Sequence, residues 1–480
     1  MGATVDWLRT TTPGLLVLCG LAIAVLLIAI IKVKLEPFIA LLLTGLGLAL
    51  AAGLPVSEIV GSALTPGESL LETGFGGILG HIAVIIGLGT VLGAILERSG
   101  GADGLTGKLL NLFGERGAPV AMGLLGLIFG IPVFFDIGVF VLAPLVYVAA
   151  KRGGRSLVLY AMPMVAGLSM THAFLPPHPG PVALGGLFEV SLGWLILMGF
   201  ICGIPGFIAA GLVWGTYIGK RVQVSVPDEF LVRPHPAAGD GPGALQETGA
   251  VRTETQPPSV ATIAAIIAVP LVLILGATFG SQLLEEGTGL LSVLTFLGTP
   301  AVALLITVLI AFSVLGVRRG ATVQELSAIT AESLRPVGML LLVVGAGAFF
   351  GKVISATGIG TALADTMSAA GLPVIVLAYL ISCGLRIAQG SATVAIVTTG
   401  GIVAPLVAGG DYSQMAVALI AMAIAAGSIV LSHVNDGGFW IIQKYFDMTV
   451  KQTLQTWTVL ETVLSVVSFA VAAVLFTIFA

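Results

Sequence analysis

Runs of about twenty apolar residues, the length of helix that crosses the hydrocarbon of a bilayer, recur from one end of this chain to the other. Residues 13–31, 37–54, 75–97, 194–219, 259–280, 294–316, 337–355 and 455–479 each make such a run. What lies between them cannot clothe a soluble surface. Of the 480 residues 57% are hydrophobic and 9% charged, with mean hydropathy +1.10, whereas an ordinary soluble domain has about 25% charged residues. The pattern predicts an all-α polytopic membrane protein whose backbone polar groups are satisfied inside helices. A net charge of −4 supplies no basic field for nucleic acid. Cys19, Cys202 and Cys383 each lie in an apolar stretch and suit packing better than a disulfide or a metal cage. The first run is longer than a signal-peptide core, and Lys32 and Lys34 follow it instead of preceding it, so it reads as a retained span.

Two further regions, 118–150 and 373–408, are apolar but interrupted midway by polar residues or Pro. Each reads as a re-entrant hairpin of two half-length helices. After each comes a segment of moderate length (157–171 and 414–431), a polar or Pro-rich break and a short continuation. The chain then makes about ten crossings. Lys and Arg collect on the cytoplasmic side of membrane proteins. Counting through places Lys32/Lys34, Arg98/Lys108/Arg116, Lys151/Arg152/Arg155, Lys220/Arg221, Arg318/Arg319 and Lys444/Lys451 inside. The connections 55–73 and 281–289, which hold Glu but neither Lys nor Arg, fall outside, and both termini are expected to be periplasmic. Hairpins that crossed fully would give the same count.

The halves echo each other. Gly89, Gly93, Gly100 and Leu105 match Gly347, Gly351, Gly358 and Leu363 at a constant offset, and Gly117, Pro119 and Gly130 match Gly371, Pro373 and Gly384 after a small gap. The run APLV at 143–146 recurs at 404–407, Thr171-His172 answers Ser432-His433, and Phe188-Glu189 answers Phe446-Asp447. By the charge count the first unit starts outside and the second inside, so the repeats are inverted. Inverted repeats with discontinuous helices belong to secondary transporters, with the site near the bilayer midplane. The expected division is N-terminal spans over 1–74, a first transport repeat over 75–219, a cytoplasmic linker over 220–258, further spans over 259–336 and a second repeat over 337–480. Segments 100–115 and 358–370 read as interfacial helices, and the Pro- and Gly-rich linker as a flexible connector.

Nearly all polar side chains at membrane depth sit in four breaks. The first hairpin tip, IPVFFDIG, centres on Asp136, and the second, GLRIAQGSAT, offers Arg386, Gln389, Ser391 and Thr393. The first broken span holds Ser169, Thr171, His172 and His178, and the second holds Ser432, His433, Asn435 and Asp436. Irregular backbone survives in a bilayer only inside protein or along a wet cavity. Pro176, Pro177, Pro179 and Pro181, with Gly437 and Gly438, leave peptide groups unpaired within their own helices. A hydroxylated anion can pair them, and half-helix N-termini favour its carboxylate.

A charged side chain at the bilayer centre costs about 2.5–3.5 kcal/mol on insertion scales, so Asp136, Arg386 and Asp436 are expected to act or to pair. Plainer readings stand beside these. Asp136 and Arg386 neutralise each other across the repeat interface, His172 and His433 cap helix ends, His178 bonds backbone, and Ser391 or Thr393 bonds back to its own helix. Glu58, Glu68 and Glu72 read as a solvated face. Gly89-x-x-x-Gly93 and Gly347-x-x-x-Gly351 are helix-packing spacings. The chain has no G-x-x-x-x-G-K-[ST] for ATP and no H-E-x-x-H for zinc, and no cofactor is expected.

The stretches IPVFFDIGVFVLAPL (131–145), THAFLPPHPGPVA (171–183), RIAQGSATVAIVTTGGIVAPL (386–406) and SHVNDGGFWIIQKYF (432–446) together resemble the gluconate permease family of gluconate:proton symporters. The likeness runs from the first span to the C-terminus. It implies D-gluconate or a related sugar acid as substrate and a proton as coupling ion. Some members carry other sugar acids and one branch D-serine, and the motifs are shared among them. The family is similar in plan to ion-coupled anion transporters built from two inverted units with re-entrant hairpins.

On this reading Arg386 takes the substrate carboxylate in a planar fork. Ser391, Thr393, Thr171, Ser432 and Asn435 take hydroxyls, with Gln389, His172, His178 and His433 nearby. Asp136, His172 or Asp436 carries the proton. A passive channel and a membrane-embedded enzyme using His172 or His433 are the competing classes. A channel would conduct without saturation, and an enzyme would turn substrate over in detergent.

Overall fold

A computed structural model of the chain describes residues 2–61, 68–226, 258–285, 287–335, 337–362, 366, 372–433 and 436–479. The fold is all-α, with no strand among the described residues. A short helix α1 (Gly2–Thr10) precedes α2 (Thr12–Ile31), α3 (Pro37–Ala51) and α4 (Val56–Val60). Helix α5 (Leu70–Arg98) leads into α6 (Gly101–Gly130), α7 (Phe135–Gly153), α8 (Leu157–Phe174), α9 (Pro179–Leu187) and α10 (Leu192–Gly219). Next come α11 (Val260–Leu283), α12 (Gly289–Gly298), α13 (Pro300–Arg319) and α14 (Val323–Leu334). The last series is α15 (Val337–Ala356), α16 (Val374–Gln389), α17 (Ala392–Ala408), α18 (Gln414–Gly427), α19 (Gly437–Tyr445) and α20 (Val450–Phe479).

Helix starts follow from short polar residues set before apolar runs. Ser69, Ser259 and Ser413 accept from the backbone N–H groups of Glu72, Thr262 and Ala416 at 3.1, 3.1 and 3.2 Å, relieving donors that have no partner within the helix. Nine helices among the described residues are long and apolar enough to cross a membrane. Six of them fall on expected spans, Thr106–Gly130 and Leu157–Leu187 fall in the expected hairpin and broken-helix regions, and Pro37–Ala51 is shorter than the span expected over 37–54. The run 294–316 is not a single span. Thr299 is extended (ψ 124°), and Pro300, which lacks an N–H, opens a new helix after α12 has ended. Helix α14 was also not anticipated. Thr322 and Glu325 form a capping box at its start, and Arg98 at the end of α5 pairs with its Glu332.

Burial sorts the helices into shells. Helices α2 and α11 are buried along only a minority of their length and present residues such as Leu21, Val25 and Val272 outward, as lipid-facing helices must. The two interrupted helices are the innermost. All residues of α8 except His172, and α18 from Ala416 to Gly427, are buried. The helices that lead into both breaks therefore lie inside protein, and so does the first break at Leu175, Pro176 and His178. Packing of α6 on α8 needs glycine: a Cβ on Gly126 would stand 2.1 Å from the Met164 carbonyl oxygen, and one on Gly167 would stand 2.4 Å from the Leu127 nitrogen.

Both hairpins and both broken helices are present. In the first hairpin α6 and α7 meet at a tip over residues 131–134, and in the second α16 and α17 meet at Gly390 and Ser391. Helix α6 is kinked at Gly114 (φ 63°), which separates the expected interfacial segment from the hairpin leg. The order of long helix, hairpin, broken helix and long helix thus occurs twice. At matched positions after the two broken helices, Glu189 and Asp447 both take positive φ, 52° and 46°, an uncommon conformation for residues other than glycine. Beyond α10 the chain stays attached to the bundle for a few residues. Val224 is tied to the start of α8, with Leu157 N–H donating to its carbonyl at 2.9 Å and its own N–H donating to Ser156 Oγ at 3.1 Å. Residues 227–257, and most of 363–371, lie outside the described residues.

Candidate functional site

Each break ends by starting a new helix, and local sequence explains where. Helix α8 stops at Phe174 because Leu175 is extended and Pro176 and Pro177 follow; His178 is the N-cap of α9 and Pro179 opens it. His178 Nε2 lies 2.7 Å from the carbonyl oxygen of Gly130, the last residue of α6. That carbonyl is one of those a helix C-terminus leaves without an internal partner, so His178 joins the first broken helix to the first hairpin tip. Asp136 stands in the first turn of α7, exposed. In the second hairpin Gly390 takes the left-handed conformation (φ 85°) that closes α16, and Ser391 caps α17 through Val394 N–H.

Charge is concentrated where the second hairpin meets the second broken helix. Arg386, only 3% exposed, directs Nη2 to Asp436 Oδ2 at 2.5 Å and Nη1 to the Gly390 carbonyl. Asp436 caps α19, accepting from Gly438 N–H at 3.0 Å, and accepts a further bond from Ser432 Oγ. The cation thus sits at a helix C-terminus and the anion at a helix N-terminus, where each suits the local dipole. Ser432 is held in turn by Trp457 Nε1, which donates to its Oγ at 2.7 Å, and by Thr458 Oγ1, which donates to its carbonyl at 2.5 Å. The π-helical turn over Leu454–Thr458 carries both of these residues.

This arrangement corrects one expectation. Arg386 is neutralised by Asp436, not by Asp136, because Asp436 shares the hairpin's own half and the N-terminus of α19 aims it at the guanidinium. Asp136 instead lies within electrostatic reach of Asp436, across the meeting of the two halves. Phe135 binds the halves together at this level. Its ring packs 6.4 Å from His172 and 5.4 Å from Trp457, and a Cβ on Gly438 would stand 3.5 Å from it.

The residue most clearly missed from sequence is Glu461, in α20 one turn beyond Trp457. It is 1% exposed and accepts from Ser169 Oγ at 2.9 Å, and it lies within electrostatic reach of Arg386 and Asp436. A single acid in an otherwise apolar span was the available signal. Three buried polar atoms around the Arg386–Asp436 pair lack a hydrogen-bond partner among the described residues: His172 Nδ1, Arg386 Nε and Glu461 Oε1. Such atoms are costly in a bilayer interior unless a guest completes them.

The other expected residues divide. Thr171 is fully buried, and its hydroxyl bonds back to Gly167 and Leu168 in its own helix. His433 Nε2 lies 3.2 Å from the Ile387 carbonyl. Thr393 lies in the first turn of α17, beside the capping Ser391. The side chain of Gln389 and all of Asn435 fall outside the described residues.

A bundle of lipid-length helices enclosing two hairpins, two interrupted helices and a buried charged cluster defines a polytopic membrane permease. The comparisons place it more closely. The model of the GntP family permeases matches residues 14–478, and this chain belongs to that family. It is 38% identical to the inner membrane permease YgbN of Escherichia coli K12 over 96% of this chain and 98% of that one. It is 34% identical to the low-affinity gluconate transporter of the same strain over 97% and 99%. To the L-idonate transporter of that strain's Gnt-II system it is 34% identical over 94% and 96%. Among solved structures, the YdaH transporter of Alcanivorax borkumensis shares the fold at TM-score 0.57 and 15% identity, covering 92% of this chain and 98% of that one. MtrF of Neisseria gonorrhoeae does so at TM-score 0.57 and 15% identity, covering 100% and 98%.

Proposed function

We propose that this permease imports D-gluconate or a closely related sugar acid together with protons across the cytoplasmic membrane. The observation that carries the reading is the set of unpartnered buried atoms around Arg386. They offer a guanidinium N–H for a carboxylate, and a ring nitrogen and a carboxyl oxygen for hydroxyls. Relatives named for gluconate and for L-idonate support the substrate class. Ser391, Thr393 and Ser432 with Gln389 and Asn435 serve the hydroxyls, and a buried ionisable side chain of the site takes the proton. The segments 75–219 and 337–480 act as inverted transport units around this site, joined by the linker 220–258, with both termini periplasmic. The hairpins and broken helices move together to give alternating access.

The test is counterflow of labelled gluconate in proteoliposomes, competed by L-idonate, other sugar acids and D-serine, with and without a pH gradient. Saturable counterflow and accumulation driven by the gradient are expected. Arg386→Lys keeps the charge but loses the planar fork, and should raise the half-saturating gluconate concentration at least several-fold. An unchanged value would remove Arg386 from the carboxylate.

A further inference from the structure

Glu461 is unlike the other acids of the site. Asp136 is exposed. Asp436 has both carboxylate oxygens engaged, one by Arg386 and Ser432 and the other by Gly438 N–H. Glu461 is sealed from solvent, holds one hydrogen bond, from Ser169, and keeps Oε1 unpartnered among the described residues. Titratable groups are few on the elements packed against α20. Helix α8 brings His172 and Tyr160, α16 brings Tyr379, Cys383 and Arg386, the break before α19 brings Asp436, α19 itself brings Lys444 and Tyr445, and α10 brings Cys202 and Tyr217. Tyr379 is directed to Ser465, a turn further along α20. Helix α18 has no ionisable side chain.

Resting on the sugar-acid symport reading above, we propose that Glu461 is the group that takes up and releases the coupled proton, with Ser169 as its positioning residue. Charge balance gives the reason. In the empty site an ionised Glu461 stands with Arg386 and Asp436, one cation to two anions. When an anionic substrate occupies Arg386 and a proton sits on Glu461, the balance is again one cation to two anions. Loaded and empty forms then meet similar electrostatic barriers on crossing the low-dielectric interior, whereas an anion arriving without a proton would add an uncompensated charge. A proton on His172 would instead set a second positive charge within electrostatic reach of Arg386. Ser169 lies on the first broken helix and Glu461 on α20 of the second half, so relative movement of the halves changes the environment of the proton.

The experiment uses the full-length permease in proteoliposomes containing a trapped pH dye, with gluconate as probe. Gluconate addition to wild type should drive proton entry. Glu461→Gln should abolish that entry and accumulation under a pH gradient, and the residual counterflow should no longer depend on pH. Ser169→Ala, which keeps the acid but removes its hydrogen bond, should shift the pH midpoint of uptake while protons still accompany gluconate; it decides the matter should Glu461→Gln carry no gluconate. Proton entry persisting in Glu461→Gln, or an unmoved midpoint in Ser169→Ala, overturns the assignment. Wild-type counterflow without proton entry sinks the proton role and leaves the substrate reading standing. Absence of wild-type counterflow removes both.

Discussion

Replacing Asp436 by Asn separates the worth of its charge from the rest of its role. Asn remains a good N-cap for α19, so the bond from Gly438 N–H survives and the main loss is the countercharge to Arg386. Arg386 is 3% exposed, and the Asp436 side chain 13% exposed. Removing one partner of a buried pair costs about 3–5 kcal/mol, chiefly because the survivor is left buried and uncompensated. The residual exposure of Asp436 points to the lower end, about 3 kcal/mol. Arg386→Met should cost less, because Asp436 retains its bonds from Ser432 and Gly438 and some contact with solvent. The double variant removes both charges, so its loss should fall short of the summed single losses by about 2–3 kcal/mol. The assay is a reversible unfolding titration of all four proteins in mixed micelles. Gluconate should stabilise Asp436→Asn more than it stabilises wild type, because its carboxylate supplies the missing countercharge. Additive single losses, or equal stabilisation by gluconate, would refute the pairing argument and the placement of substrate on Arg386.

Two further predictions concern the scaffold. Gly167→Ala drives a methyl group into the α6 backbone, 2.4 Å from Leu127 N and 2.6 Å from Gly123 O. Overpacking of this kind costs about 1–3 kcal/mol, and should appear as a lowered melting temperature in detergent. In helix α14, hydrogen bonds from the backbone N–H and hydroxyl of Thr322 hold the Glu325 carboxyl below its ordinary range. A depressed folded-state value means that the stabilisation is present above the unfolded value and is lost as pH falls through the folded one. The hydrogen-exchange protection factor in the first turn of α14 should therefore be constant near neutrality and fall on acidification below the ordinary glutamate range. Thr322→Ala, which keeps the backbone N–H bond to Glu325, should weaken that step, and Glu325→Gln should abolish it.

The parts of the fold that follow from local chemistry were legible in the sequence. Length and apolarity located the spans, and Pro176, Pro177, Gly437 and Gly438 located the breaks, because proline and glycine act on the backbone whatever surrounds them. The merging of 294–316 came from weighing apolarity above Pro300. The start of helix α14 is written in Thr322-x-x-Glu325, a capping signal that hydropathy does not see. Pairing was less legible. Arg386 has two acids near it, and only the placement of the α19 N-terminus decides which one reaches it. Polar residues in breaks do not point to Glu461, which stands within a helix and owes its importance to Ser169, 292 positions away. Thr171 had the right composition for a ligand, but its hydroxyl turns back on its own helix.

The glycine contact between α6 and α8 bears on how such a molecule can work. Where main chain lies against main chain, there are no side chains to swap rotamers and let one surface glide along the other. The first hairpin leg and the first interrupted helix are thereby welded, and whatever carries a guest from one face of the membrane to the other must carry this pair as one block. The slip plane has to run elsewhere, along boundaries lined by long, deformable side chains.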